Sequence, residues 1–116
     1  MSRLSTHVLD VALGQPARGV AVRLDALPSA AEGGGTVILA SAVTDDDGRV
    51  PDLLGGAALE AGVYRLTFQT GAYFKATARP SFYPRVQVTF EVTTPAQHHH
   101  VPLLLSPFGY STYRGS

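Results

Sequence analysis

Period-two alternation of apolar and polar residues, in runs too short for long helices, is the feature that most restricts how this chain can fold. In RVQVTFEVT, Val86, Val88, Phe90 and Val92 share one face and Gln87, Thr89 and Glu91 take the other. GVYRLTFQT sets Tyr64, Leu66 and Phe68 against Arg65, Thr67 and Gln69, and GVAVRLDAL sets Val20, Val22 and Leu24 against Arg23 and Asp25. RLSTHVLD sets Leu4, Thr6 and Val8 against Ser5, His7 and Leu9. TVILASAVT is more uniformly apolar, and HHHVPLLLS closes the series. Between them stand the turn signals LGQPARG, PSAAEGGG, DDDGR, LGGAALEAG and RPSFYP. The pattern predicts an all-β antiparallel β-sandwich. GAYFKATA predicts one short helix of two turns, stopped by Pro80. AAEGGGT and TDDDGRV read as the most exposed connections, with EGGG a flexible tip. In the second, DDDG predicts a tight turn with Gly48 at positive φ. Arg49 follows at once and, on local pattern alone, is a solvated turn residue.

The totals bound what such a sandwich can do. A chain of 116 residues is expected to be one domain, spanning 1–116. Its apolar fraction of 45% allows a core, but a small one, and chains of this size often gain stability by oligomerising. Without cysteine there is no disulfide, thiolate ligand or cysteine nucleophile, which fits a reducing compartment. Nine basic residues balance nine acidic ones, so no bulk field draws the chain to nucleic acid or to an anionic membrane. Lys75 is the only lysine among the basic residues, an arginine bias that bidentate recognition and GC-rich coding both produce. No apolar run approaches the ~20 residues of a membrane span. The opening MSRLSTHVLDVALG has no apolar signal region, so the expected location is cytoplasmic.

The C-terminal QHHHVPLLLSPFGYSTYRGS carries three of the four histidines. Alternation puts His98, His100, Pro102 and Leu104 on one face and His99, Val101, Leu103 and Leu105 on the other. The second set is the more apolar, so His99 is expected in the core and His98 and His100 outside. Pro102 lacks an N–H, which predicts an edge strand or a bulge. Leu9 and Leu104 then sit on outer faces beside histidines, where a subunit contact would cover them. For His7, His98 and His100 three readings stand open: a zinc site built on His-x-His, acid–base catalysis, or surface histidines with no task.

LSTHVLD, TDDDGR, FYPRVQVTF and the terminal HHHVPLLLSPFGYSTYRGS together resemble the transthyretin-related family, and more narrowly its 5-hydroxyisourate hydrolases. The likeness runs from Leu4 to Ser116, and the closing Tyr113-Arg114-Gly115-Ser116 is its most specific mark. It implies a transthyretin-like antiparallel β-sandwich with one short helix, assembled as a homotetramer, a dimer of dimers with the sites at the dimer–dimer interface. It implies hydrolysis of 5-hydroxyisourate to 2-oxo-4-hydroxy-4-carboxy-5-ureidoimidazoline in urate degradation, with no metal or organic cofactor. The alternative is a non-enzymatic carrier that binds a small ring compound in the tetramer channel.

By the same resemblance the catalytic residues are His7, Arg49, His100 and Ser116. Substrate binding falls to His7, Arg49, His98, Tyr113 and Arg114. His99 stands where the family more often has Tyr, which leaves a buried imidazole in need of partners. His7 and His100 are expected to activate water as a pair, with His98 orienting or assisting. Arg49 would present two parallel N–H donors to the carbonyl edge and its developing oxyanion. Ser116, with its hydroxyl and terminal carboxylate, is expected to anchor and orient rather than attack, since no Ser-His-Asp arrangement is visible.

Overall fold

A computed structural model describes residues 3–28 and 35–116, so residues 30–34 of the AAEGGGT connection, all of the EGGG tip but Gly35, lie outside the described residues. The alternating runs become strands: β1 (Leu4–Asp10), β2 (Gln15–Pro16), β3 (Ala21–Leu27), β4 (Val37–Val43), β5 (Arg49–Val50), β6 (Gly62–Phe68), β7 (Val86–Val92), β8 (His99–Ser106) and β9 (Gly109–Thr112). The one described helix, α1 (Thr70–Ala76), follows β6; it is not long and apolar enough to cross a membrane.

Two sheets face each other, one in the order β2-β1-β8-β9 with β5 also on β1, the other β4-β3-β6-β7. The pairings are antiparallel except between β1 and β8, which run parallel from Leu4↔His99 to Asp10↔Leu105. Leu4, Val8, Val101, Leu103 and Leu105 from one sheet and Val22, Leu24, Leu66, Phe68, Val86 and Val92 from the other fill the core. These are the faces that alternation assigns inward. β4 is an edge strand whose Val37, Ile38, Leu39 and Val43 are exposed despite their apolar character.

Two local expectations change. The helix ends before Pro80, because Ala78 takes a left-handed φ of 56°. The Ala78 and Arg79 N–H groups close back on Lys75 and Phe74 carbonyls, a Schellman turn built without glycine. Pro102 lies neither on an edge nor in a bulge. β8 is interior, and Pro102 falls in a gap of the β8–β9 ladder, between Leu103↔Thr112 and the isolated bridge His100↔Gly115. The missing N–H is accommodated by interrupting the ladder while keeping its register.

The Schellman turn delivers Arg79 to Asp10, a carboxylate with no exposed surface at the end of β1. Tyr73 Oη donates to Asp10 Oδ2 at 2.7 Å, and Arg79 donates to both carboxylate oxygens. Arg79 also lies over the Phe74 ring, 5.0 Å from its centroid. Burial pushes the Asp10 carboxyl up, but the bonds from Arg79 and Tyr73 outweigh it and hold Asp10 below its ordinary range. The same burial and carboxylate push the Tyr73 phenol up to about 12. A depressed carboxyl stabilises the fold above its unfolded pKa and loses that contribution as pH falls through the folded one. Asp10→Asn is expected to cost about 2 kcal/mol at neutral pH, since it takes the charge out of the buried acceptor's bonds from Arg79 and Tyr73. In urea titrations at several pH values, the gap to wild type should narrow below about pH 4.

Candidate active site

The site begins with a turn. Asp45 Oδ1 accepts the Asp47 and Arg49 N–H groups, both at 2.9 Å, and the Gly48 N–H closes on the Asp45 carbonyl. Gly48 has the expected positive φ, 74°, and its carbonyl takes the Val8 N–H at 2.7 Å. A Cβ at Gly48 would lie 2.4 Å from the Val8 carbonyl oxygen, so only glycine lets the turn come this close to β1. The result is the short antiparallel pair Thr6↔Val50 and His7↔Arg49. Arg49 is therefore the first residue of β5, fixed opposite His7. Among the described residues its guanidinium enters no salt bridge.

The parallel β1–β8 register brings the other histidines alongside. Ser5 stands against His100, and His7 against Pro102, so His7 and His100 are diagonal neighbours on the outer face. Ser5 Oγ, 7% exposed with its residue, touches His100 Nδ1 at 2.7 Å and His98 Nε2 at 2.9 Å. The tail returns beside them: the Gly115 N–H donates to the His100 carbonyl at 2.8 Å. A Cβ on Gly115 would come within 2.4 Å of His100 Cδ2, so the tail lies flat against the imidazole. Arg3, Ser5, Arg49, His98, His100 and Ser116 line a 290 Å³ cleft at this point.

Burial depresses the His100 pKa, and the charges of Arg49, His98 and His7 depress it further, against an opposing hydrogen bond that the ring donates to the Ser5 backbone. His100 is thus a neutral imidazole at neutral pH. Among the described residues no group of three His, Asp or Glu side chains is placed to hold a metal ion.

Of the residues singled out from sequence, Arg49, His98, His100 and Ser116 meet at the cleft, and His7 lies next to it on the same face. Tyr113 and Arg114 do not. They line an adjoining 280 Å³ cavity with Val88, Phe90, His99 and Thr112, and His100 borders both spaces. Arg114 Nη2 donates to Gln97 Oε1 at 2.9 Å, and Tyr113 is 56% exposed. His99 is buried as expected, 5% exposed, and among the described residues its Nδ1 meets no side-chain partner, with the Gln97 backbone the group that favours its charged form. Burial, then the Arg114 charge, lowers its pKa. Arg3, Ser5 and Thr6 are polar residues of the cleft that sequence reasoning missed, and Ser5 is the one that touches the histidines. Alternation places it on the outer face, but only the strand register shows that it meets two histidines.

Known proteins resemble this chain over nearly its whole length. Residues 4–115 match the model of the HIUase/Transthyretin family. The chain is 49% identical to the 5-hydroxyisourate hydrolase of Caulobacter vibrioides over 120 aligned residues, covering 100% of both chains. It superposes on the Klebsiella pneumoniae 5-hydroxyisourate hydrolase with a TM-score of 0.85 and 44% identity, covering 100% of each. It superposes on sea bream transthyretin, solved with thyroxine, with a TM-score of 0.88 and 32% identity, covering 97% and 94% of the two chains. A two-sheet sandwich with one short helix, matched over nearly its whole length by sequence and by structure, belongs to the HIUase/Transthyretin family.

Proposed function

We propose that this protein hydrolyses 5-hydroxyisourate. Water adds at the amide-like carbonyl, the six-membered ring opens, and 2-oxo-4-hydroxy-4-carboxy-5-ureidoimidazoline forms without a metal ion. The observation that carries this reading is the meeting of Arg49, His100 and Ser116 at one cleft beside His7, in a chain so close to a full-length hydrolase. The fold alone does not choose between hydrolase and carrier, because a transthyretin superposes equally well. The polar outer face and the higher identity to hydrolases favour chemistry over carriage.

In this reading His100 is the general base. Its Nδ1 is engaged by Ser5, which leaves Nε2 to take the proton of water. His7, diagonal to it, orients that water. The fork of Arg49, in no salt bridge among the described residues, stabilises the oxygen as it gains negative charge. Ser116 borders the cleft and binds or orients, while Tyr113 and Arg114 fasten the tail that carries it. Leu9 and Leu104 are register partners beside the histidines, both half-buried. They support a subunit contact there, in a homotetramer built as a dimer of dimers.

An ultraviolet time course tests the reading. With 5-hydroxyisourate generated from urate by urate oxidase, the protein should speed its decay equally with and without chelator. An unchanged spontaneous rate would leave the carrier in front.

Arg49→Lys keeps the charge and loses the fork, so kcat should fall about 100-fold with the acid limb of kcat/KM in place. Arg49→Gln also removes a cation that disfavours the His100 imidazolium. Its acid limb should therefore move to higher pH. In the parent protein that limb should lie below the ordinary histidine value of about 6.5. Deleting Tyr113–Ser116 should abolish turnover while circular dichroism and melting temperature change little, because a single bridge holds that segment to β8.

A further inference from the structure

Ser5 has one hydroxyl proton and two imidazole nitrogens within hydrogen-bond distance, His100 Nδ1 and His98 Nε2. It can donate to only one of them and must accept from the other. With both rings neutral, two arrangements satisfy this. If Ser5 donates to His100, His100 carries its proton on Nε2, and His98 also carries its proton on Nε2 and donates it to Ser5. If Ser5 donates to His98, both histidines carry their protons on Nδ1. The single hydroxyl therefore ties the two tautomers together, and only the second leaves His100 Nε2 bare.

From this geometry we propose that Ser5 is a positioning residue that holds His100 in its Nδ1–H tautomer and relays its proton to His98. The inference rests on the hydrolase reading and deepens it. As water attacks, its proton passes to His100 Nε2 and its oxygen bonds to the carbonyl carbon. The His100 Nδ1 proton moves to Ser5 Oγ, and the Ser5 hydroxyl proton moves to His98 Nε2. His100 ends neutral, with its proton on Nε2, and the positive charge rests on His98. When the ring C–N bond breaks, the steps reverse: His98 returns a proton through Ser5, and His100 Nε2 protonates the leaving nitrogen. One water is consumed and every proton is accounted for.

The arrangement suits the surroundings. A cation on His100 would sit partly buried beside Arg49, with His7 close by. His98 is exposed, and its ring centroid lies 6.3 Å from that of His100. The relay carries charge from a shielded ring to a hydrated one. Ser5 itself is buried beneath both rings, so its hydroxyl has no bulk water to turn towards.

The test combines a spectroscopic and a kinetic measurement on the full chain. In ¹⁵N NMR of the resting protein at neutral pH, His98 and His100 should both be Nδ1–H tautomers. Ser5→Ala should uncouple them and return His100 towards Nε2–H, and Ser5→Thr should restore the parent pattern. Ser5→Ala should lower kcat about 100-fold with KM little changed, and Ser5→Thr should recover most of the loss. Opposite tautomers in the parent, His100 protonated on Nε2, or a Ser5→Ala variant with full turnover would overturn the relay. If the parent does not hydrolyse 5-hydroxyisourate, the hydrolase reading and the relay's catalytic role fail. The tautomer pattern then still decides whether Ser5 couples the two rings.

Discussion

The parallel ladder between β1 and β8 decides what faces what. It pairs Leu4 with His99 and Asp10 with Leu105, and a slip of one residue would exchange the two faces of either strand. His99 would then move outward and His100 into the core. Several interactions hold the register against that slip. Leu4, Val8, Val101, Leu103 and Leu105 are buried on one side. Thr6 Oγ1 donates to the Val101 carbonyl at 2.6 Å, and the His99 N–H donates to the Arg3 carbonyl at 2.8 Å. The outer-face groups are thus placed by packing on the opposite face, which is how a rigid sheet holds side chains more accurately than a loop.

The outer face gathers His7, His98, His100 and Arg49 within two adjoining strand pairs and the segment just before β8. No carboxylate side chain lines the cleft. Asp10 is committed to Arg79 and Tyr73, and Asp25 to Arg23 and Arg65. Burial and the surrounding positive charge both disfavour a cation on His100. In the proposed reaction Arg49 is the permanent cation, available for charge that develops only as water adds.

Much of this was legible from residue order. Period two gave the inward faces of β1 and β8, the burial of His99, and the turn that needs Gly48. Longer-range features were not. Nothing local says that β1 and β8 run parallel, and Ser5 gains its importance only from that pairing. Pro102 argued for an edge or bulge because a missing N–H has three remedies, and an interrupted ladder is not visible in sequence. Asp25, on a face expected to be polar, is fully buried beneath two arginines that cross from β3 and β6. Tyr113 and Arg114 follow the tail to the sheet edge, a course set by the β9 register and not by their own chemistry.

The ladder also sets an order of events during synthesis. Ser5 and His100 are 95 residues apart, whereas β3, β4, β6 and β7 pair with strands much nearer in sequence. The second sheet can zip by comparatively local contacts, but β1 must wait for a partner translated 95 residues later. Closing that long loop costs entropy before its contacts repay it. The histidine face is therefore among the final parts to assemble, so a nascent chain can hold a folded half-sandwich before it holds any site.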